Sequence, residues 1–480
     1  MARLLDFESS VKSSDCPCSP LAERGGTQTE KTMPLDRRSF VKAAASALPG
    51  AAALSALAPV LAARHAHAAP REQQTGTPFK GTIRLGLIGC GGRGTGAAVQ
   101  ALRADADTKL VAMGDVFADR LDTSLAGITE ELADQAAARV DVPAERRFTG
   151  FDSYQKVIDA GVDVVLICGY PAFRPMQLAA AIAAGKHVFA EKPLAVDGPG
   201  IRSVLASAKA AKEKNLALLV GFCWRHNPGM KAAYQRLHSG GIGSVTNVHT
   251  TYLTSTLSKR PRKPEWSDME FQMRNWWHFT WISGDHIVEQ AVHSIDRLAW
   301  AMNDAIPTKV ICLGGRAARS GPEHGNVFDH FAATFEYADG RRAHHTTRQI
   351  DGCPSDNTDY IEGTQGRATI NGWAPTYEFR DHAGGVTWKG TGTPEEASQM
   401  YQLEHDELFR SIRAGNPIND GERSANSCLM AIMARMAAYT GQTISWEQAL
   451  NSKEELVPAT LAFGPMPTPE VAIPGKTKFI

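Results

Sequence analysis

Short apolar runs alternate with amphipathic stretches along most of the chain. The runs TIRLGLIG, TKLVAMGD, VDVVLICG, KHVFAEKP and LALLVGF are apolar almost throughout, which is typical of strands that are covered on both faces. The stretch AAVQALRAD between the first two runs is consistent with a helix. This alternation predicts βαβ units and a parallel sheet over residues 81–225.

The pattern changes in the second half of the chain. The segments GSVTNVHTTYL and FDHFAATFEYADGRRAHHTTRQ alternate polar and apolar residues, as strands with one covered face do. We therefore predict a second, strand-rich domain over residues 226–460, followed by a C-terminal tail over residues 461–480.

The first eighty residues lack this alternation. Residues 1–32 are polar and aperiodic, so we predict a disordered leader or a mis-assigned start, and residues 70–80 are interpreted as a linker. Residues 33–69 resemble a twin-arginine signal peptide. The features that carry this resemblance are Arg37, Arg38, Phe40, Lys42, an alanine-rich run and the cleavage candidate Ala66-His67-Ala68.

This signal implies passage through the twin-arginine export machinery and a periplasmic protein, either cleaved or loosely anchored by an uncleaved signal. A membrane-spanning helix of ~20 residues is the alternative. Pro49, Gly50 and Pro59 interrupt the apolar run, which favours the signal.

The composition of the chain excludes several classes of function. A length of 480 residues with 43% hydrophobic content supports two folded domains. The 51 acidic and 51 basic residues balance, which argues against a nucleic-acid partner and favours a neutral small molecule. The eight cysteines show no CxxC pair, which argues against zinc and disulfide frameworks. The cysteines interpreted as packed free thiols are Cys90, Cys168, Cys223, Cys312, Cys353 and Cys428.

A glycine-rich loop follows the first strand and fits the pattern GxGxxG. Its residues are Gly89, Cys90, Gly91, Gly92, Arg93 and Gly94. Glycines at these positions allow a tight turn, a close approach to a pyrophosphate and helix–strand packing. Asp115 ends the second strand, where its carboxylate would accept the adenosine ribose hydroxyls and repel a 2′-phosphate. The sequence therefore predicts NAD rather than NADP, with a helix cap as the alternative role of Asp115.

A lysine follows another strand in the stretch AEKPLA. Ligands lie at the carboxyl ends of strands in open α/β sheets, so Glu191 and Lys192 are placed in the cofactor crevice. The Lys192 ammonium could polarise a hydroxyl or carbonyl oxygen and pass a proton during hydride transfer. A surface lysine beside Pro193 is the alternative.

Taken together, these motifs resemble the Gfo/Idh/MocA oxidoreductases. The residues that carry the resemblance are GLIGCGGRG, AAGKHVFAEKPLA, GGIGSV, VHSIDRLAW, IEGTQGRATI and AAYTGQTISWEQAL, spread between Thr82 and Leu450. The resemblance implies an α/β protein with an N-terminal Rossmann domain and a C-terminal α+β domain with an open, mainly antiparallel sheet. It also implies a sugar or polyol substrate and a homo-oligomer formed through that sheet.

The stretch GDHIVEQAVHSIDRLAW holds Glu289, His293, Asp296 and Trp300 at helical spacing. His293 matches the family's acid/base histidine, and Glu289 stands where the family usually has aspartate. A core histidine on an amphipathic helix is the alternative. A metal site of His286, Glu289 and His293 has the wrong order for HExxH, and we predict no metal.

Three further contacts are predicted. Arg225, in FCWRHNP, is the basic residue expected to contact the cofactor, and Asp296 is a candidate substrate residue. Trp276 and Trp277, in RNWWHFTW, form either a carbohydrate platform or a packed aromatic cluster.

Export and a cytosolic cofactor conflict unless the chain folds around NAD and retains it. The sequence therefore predicts an exported oxidoreductase with tightly held NAD, acting on a sugar, polyol or glycoside. Three alternatives stay open: a redox-assisted glycosidase resembling glycoside hydrolase family 109, a dehydrogenase with exchanging NAD, and a catalytically silent sugar sensor.

Overall fold

The computed structural model describes residues 77–480. The predicted leader 1–32, the predicted signal 33–69 and most of the predicted linker 70–80 lie outside the described residues. Among the helices that the model describes, none combines the length and apolarity needed to cross a membrane.

Six parallel strands form the first sheet, in the order β3-β2-β1-β4-β5-β6. The strands are β1 (Ile83–Ile88), β2 (Thr108–Asp115), β3 (Arg147–Thr149), β4 (Val164–Ile167), β5 (His187–Ala190) and β6 (Leu218–Val220). The helices are α1 (Gly92–Ala104), α2 (Ala118–Leu132), α3 (Ala136–Arg139), α4 (Ser153–Asp159), α5 (Arg174–Ala183) and α6 (Gly198–Glu213). This order is that of dinucleotide-binding Rossmann folds, and it confirms the predicted parallel sheet.

The apolar runs of the sequence are the centre of this sheet. Every residue of β4 is buried, as is every residue of β1 except Arg84. Helices cover both faces, so side chains pointing either way enter a core.

Nine strands form the second sheet, in the order β14-β13-β12-β11-β7-β10-β9-β8-β15. The strands are β7 (Val245–Thr254), β8 (Lys309–Gly315), β9 (His330–Glu336), β10 (Arg342–Gln349), β11 (Thr358–Gly363), β12 (Gly366–Asn371), β13 (Thr376–Asp381), β14 (Val386–Gly390) and β15 (Ile444–Ser445). Neighbouring strands are antiparallel except β7 and β10, which are parallel. The expected mainly antiparallel sheet is confirmed.

One face of this sheet is packed and the other is open. Along β10, Ala343, His345 and Thr347 are buried while their neighbours are partly exposed. On the open face of β8, Ile311 and Leu313 expose 45% and 73% of their surface. The homo-oligomer expected through this sheet stays a prediction.

The remaining helices flank or precede the second sheet. They are α7 (Pro228–His238), α8 (Asp268–Arg274), α9 (Thr280–Ser283), α10 (His286–Glu289), α11 (Val292–Ala301), α12 (Pro394–Ser398), α13 (Met400–Arg413), α14 (Gly421–Thr440) and α15 (Trp446–Asn451). Helix α13, which the sequence analysis placed with the second domain, returns to the first sheet. Its Leu408, Phe409 and Ile412 are buried in the core beside β1 and α1.

Candidate active site

The glycine-rich loop between β1 and α1 is shaped by two crowded and two open glycines. A Cβ added at Gly89 would lie 2.2 Å from the Gly169 nitrogen, and one at Gly94 would lie 1.9 Å from the Gly89 oxygen. At Gly91 and Gly92 it would meet no atom within 4 Å. Gly89 and Gly94 allow the backbone segments around them to pack closely. Gly91 and Gly92 leave room for a ligand beside the backbone.

The start of α1 is free to receive an anion. The helix has no side-chain cap and no acidic residue in its first turn, so its first N–H groups point outward without internal partners. Such a helix start after a glycine loop fits a pyrophosphate. The loop residues therefore fit a dinucleotide cofactor.

Asp115, at the end of β2, holds this loop in place. Its buried carboxylate accepts hydrogen bonds from the Cys90 backbone nitrogen at 2.7 Å and from the Phe117 nitrogen at 2.9 Å. Burial raises the pKa of the carboxyl, and these two backbone donors oppose the rise. Helix α2 has no side-chain cap, so the alternative role of Asp115 as a helix cap is not observed. Its contact with ribose stays a prediction.

Lys192, Glu289 and His293 come together beside the carboxyl end of β5. The Lys192 Nζ donates to the Glu289 carbonyl oxygen at 2.7 Å and lies 3.4 Å from its Oε1. The His293 ring packs edge-on against Phe222, with centroids 6.1 Å apart. Lys192 is therefore not the surface lysine that the alternative interpretation allowed.

His293 is held neutral. Burial, followed by the positive charges of Lys192 and Arg297, lowers the pKa of His293 well below its usual value. Its Nδ1 is buried without a hydrogen-bond partner. A neutral imidazole can accept a proton at a ring nitrogen.

Two family models match the chain. The model for the oxidoreductase family's NAD-binding Rossmann fold matches residues 83–222, and the model for the GFO/IDH/MocA C-terminal domain matches residues 230–369. Together they span more than half of the chain. The chain belongs to the Gfo/Idh/MocA family. The resemblance drawn from the sequence motifs is confirmed.

Several curated proteins are similar to this family member. Inositol 2-dehydrogenase of Cereibacter sphaeroides is 29% identical over 223 residues, which are 46% of this chain and 55% of that protein. Inositol 2-dehydrogenase 3 of Saccharopolyspora erythraea is 29% identical over 238 residues, 50% of this chain and 59% of that protein. 2,7-Anhydro-N-acetylneuraminate hydratase of Escherichia coli is 28% identical over 158 residues, 33% and 38% of the two chains. The chain spans about half the length of the first two relatives.

Solved structures share the fold over a larger part of the chain. Levoglucosan dehydrogenase in complex with NADH and levoglucosan superposes with a TM-score of 0.60 at 19% identity, covering 76% of this chain and 99% of that one. Scyllo-inositol dehydrogenase from Lactobacillus casei gives a TM-score of 0.57 at 20% identity, covering 77% and 99%. At these identities the likeness establishes the common fold.

Arg93 and Glu191, which are both predicted to contact the cofactor, form an ion pair with each other. The Arg93 guanidinium on α1 bonds Glu191 and, at 2.8 Å, the buried Glu404 of α13. Burial raises the pKa of Glu404 well above its usual value, although Arg93 opposes the rise. The Arg93 and Glu191 side chains thus tie the helix after the glycine loop to the end of β5. This ion pair positions the segment that carries Lys192.

The predictions for Arg225 and Asp296 need correction. The Asp296 carboxylate is fully buried and accepts bonds from Arg225 at 2.8 Å and from Ser427 at 2.8 Å. Arg225 also bonds Asp304. Buried charges are stable only when paired, and here they are paired with each other. The Arg225 guanidinium is therefore held by Asp296 and Asp304, and the buried Asp296 is a structural anchor rather than a substrate residue.

The predicted face of Glu289, His293, Asp296 and Trp300 is also interrupted. Helix α10 ends at Glu289 and α11 begins at Val292. Trp300 stacks on Tyr234 with centroids 3.9 Å apart. The break separates Glu289 from the helix of His293, yet both stay beside Lys192.

His286 does not join a metal cluster. Its Nδ1 lies 3.1 Å from the Asp285 carboxylate and 3.2 Å from the Phe328 carbonyl oxygen. Within residues 77–480 no group of three histidine, cysteine or carboxylate side chains could hold a metal ion.

The tryptophans of RNWWHFTW take different positions. Trp281 is buried, and its Nε1 donates to Gln272 at 2.8 Å. Trp276 and Trp277 are partly exposed and contact each other, and Trp276 meets Tyr170 edge-on at 5.8 Å. Packing therefore accounts for Trp281 and for one edge of Trp276.

A second aromatic pair, Tyr252 and Trp373, has no signal in the sequence. Burial, followed by the charge of Glu289, raises the pKa of the Tyr252 hydroxyl on β7. Trp373, in the turn after β12, meets Tyr252 edge-on at 5.4 Å and exposes 43% of its surface. No motif marks these residues, because strand pairing through β11 brings them together.

Proposed function

We propose that this chain is an exported oxidoreductase that transfers hydride between a tightly held NAD and a hydroxyl-bearing carbon of a sugar, polyol or glycoside. The observation that carries this proposal is the joint position of Lys192, Glu289 and neutral His293 at the carboxyl end of a dinucleotide-binding sheet. The names of the relatives, inositol 2-dehydrogenase and levoglucosan dehydrogenase, support a cyclic polyol or sugar. A sensor would have no use for this proton-transfer group.

His293, Lys192 and Glu289 have separate roles in the proposed oxidation of an alcohol. A dinucleotide held at the glycine-rich loop and the start of α1 would supply the acceptor for the hydride that leaves the carbon. The hydroxyl proton passes to the neutral imidazole of His293, and the Lys192 ammonium stabilises negative charge that develops on the substrate oxygen. The Glu289 carbonyl oxygen fixes Lys192. In the reverse direction the protonated His293 returns its proton to the oxygen of the carbonyl.

Export favours retention of NAD, because no known NAD pool outside the cytosol would replace a lost cofactor. A retained cofactor must be regenerated within each cycle. Paired oxidation and reduction of two sugars meets this demand, as does oxidation that triggers elimination or hydration. The similarity to a 2,7-anhydro-N-acetylneuraminate hydratase supports this second reaction type.

A substrate panel tests the proposed activity. The purified chain is mixed with NAD and with myo-inositol, scyllo-inositol, levoglucosan or nitrophenyl glycosides. We expect the near-ultraviolet band of reduced nicotinamide to appear with at least one ring compound. Nitrophenol release without accumulated NADH would assign redox-assisted glycoside cleavage. A folded, NAD-loaded chain that reduces no NAD and alters no compound in the panel would contradict the proposal.

NAD is proposed over NADP on the ground of the Asp115 charge. The Asp115→Asn variant keeps an oxygen for the Cys90 nitrogen, loses the acceptor of the Phe117 nitrogen and removes the charge that repels a 2′-phosphate. We expect the ratio of NAD to NADP affinities to fall ~10–100-fold, measured by fluorescence titration. Asp122→Asn, an exposed site on α2, controls for charge loss. An unchanged ratio in Asp115→Asn would place cofactor selection elsewhere.

Tyr252 and Trp373 are proposed as the aromatic wall for the substrate. Because Trp373 touches no catalytic side chain, Trp373→Ala should raise KM about tenfold and leave kcat within about twofold. Trp277→Ala is the comparison, since that ring lies in the other aromatic cluster. A larger rise of KM in Trp277→Ala would move the platform to the RNWWHFTW segment.

A further inference from the structure

The C-terminal segment 456–466 lies against the loops at the carboxyl end of the first sheet. Near its start, the Leu456 nitrogen donates to Asp197 at 3.0 Å. Near its end, Gln272 on α8 donates to the Met466 oxygen at 2.6 Å. The segment is therefore fastened at both ends and spans the space between them.

Phe463 makes the aromatic contacts between this segment and the nucleotide-binding loops, and Leu461 packs against the same hydrophobic cluster. Its ring stacks on Phe117 at 5.6 Å and meets Phe151 at 5.2 Å. Phe117 follows β2, two residues beyond Asp115, and Phe151 follows β3. Phe463 still exposes 46% of its surface, so it covers these loops from outside rather than belonging to their core.

Two arginine side chains also lie against the Phe117 ring that Phe463 covers. Arg274 on α8 lies 4.0 Å from the centre of the Phe117 ring and bonds Asp119 on α2 at 3.0 Å. The Arg120 guanidinium lies over the rings of Phe117 and Tyr170, at 5.3 and 5.5 Å. No carboxylate within residues 77–480 forms an ion pair with Arg120.

A buried hydroxyl beneath the cover also lacks a partner. The Tyr170 ring, which follows β4, is buried, and its hydroxyl makes no hydrogen bond. Burial raises the pKa of Tyr170, and the nearby Asp115 charge adds to the rise while Arg120 opposes it. An unpartnered hydroxyl and an unpaired guanidinium beside Asp115 indicate a place for a polar, anionic ligand.

We propose that segment 456–466 forms the outer wall of the adenosine half of the dinucleotide site, and that its opening limits the release of the cofactor. Arg120 and Tyr170 are the groups available to the adenosine phosphate and ribose. This inference rests on the proposed function, because it names the element that retains NAD. A cofactor enclosed by such a wall leaves only when Phe463 separates from Phe117 and Phe151.

Release of NADH is the test. The chain is loaded with NADH, excess NAD is added, and the loss of bound NADH fluorescence gives the dissociation rate. We expect Phe463→Ala to release NADH about tenfold faster than the unchanged chain, as loss of two aromatic contacts permits. Ile473→Ala is the matched control, because Ile473 lies in the same tail and is 50% exposed. Equal rates in the two variants would overturn the inference.

Binding of cofactor fragments shows which half of the dinucleotide site is affected by Phe463→Ala. Phe463→Ala should weaken binding of ADP-ribose by a similar factor and leave binding of nicotinamide mononucleotide unchanged. Equal weakening of both fragments would overturn the assignment to the adenosine half.

Hydrogen exchange provides a measurement on the unaltered chain. NADH should slow amide exchange over residues 461–466, and unchanged exchange there would count against the wall. A chain that binds no NADH at all overturns the proposed function itself, whereas NADH binding without any effect of Phe463 overturns only this inference.

Discussion

Replacing Lys192 or His293 with alanine should lower turnover by ~10²–10⁴ while NAD stays bound. Lys192→Ala removes the ammonium that stabilises charge on the substrate oxygen, and His293→Ala removes the imidazole that accepts the proton. Neither change removes the glycine loop or its support by Asp115. The measurement is kcat with saturating substrate, alongside the NAD content of each variant.

Matched controls separate catalysis from the general loss of a side chain. Lys209→Ala and His382→Ala alter exposed residues and should leave turnover unchanged. Near-wild-type turnover in a folded, NAD-loaded Lys192→Ala or His293→Ala variant would refute the assigned roles. Because the pKa of His293 lies well below its usual value, loss of activity on acidification should begin below the ordinary histidine range.

Gly94→Ala should abolish NAD binding together with much of the stability of the first domain. The new Cβ would lie 1.9 Å from the Gly89 backbone oxygen, so the loop and α1 must move apart. Gly91→Ala should instead keep the fold, because its Cβ meets no atom within 4 Å. It should weaken NAD by about tenfold or more if the backbone there approaches the pyrophosphate.

Thermal unfolding and NADH titration distinguish the two glycine variants. We expect a lowered Tm only in Gly94→Ala and weakened NADH binding in both. Full NADH affinity in Gly91→Ala would show that the pyrophosphate does not lie beside this loop. An unchanged Tm in Gly94→Ala would contradict the packing account.

Local sequence patterns predict most of the fold, and the catalytic roles assigned to Lys192 and His293 stay predictions. The apolar runs and the glycine loop mark β1 and α1, because a strand buried on both faces and a tight turn each require particular residue types over a few positions. Lys192 and His293 lie in short motifs of this kind. The break between α10 and α11 carries no such signal.

Long-range pairing accounts for what the sequence analysis missed. Arg225 and Asp296 are 71 residues apart, and nothing local shows that burial pairs their charges. The sequence of α13 shows an amphipathic helix but not its packing partner, which is the core of the first sheet, where Leu408 is buried. Trp373 reaches Tyr252 only through strand register. Phe463 lies in a segment without regular structure, so no periodicity reveals its contact.

Retention of NAD is the property that sets the proposed enzyme apart from a dehydrogenase with exchanging cofactor. The most direct measurement is to purify the chain without added cofactor, denature it and quantify the NAD released per chain, with turnover of an identified substrate measured in parallel. We expect about one NAD per chain and turnover that needs no added cofactor. A chain that emerges empty, rebinds NAD weakly and works only with excess cofactor would contradict it.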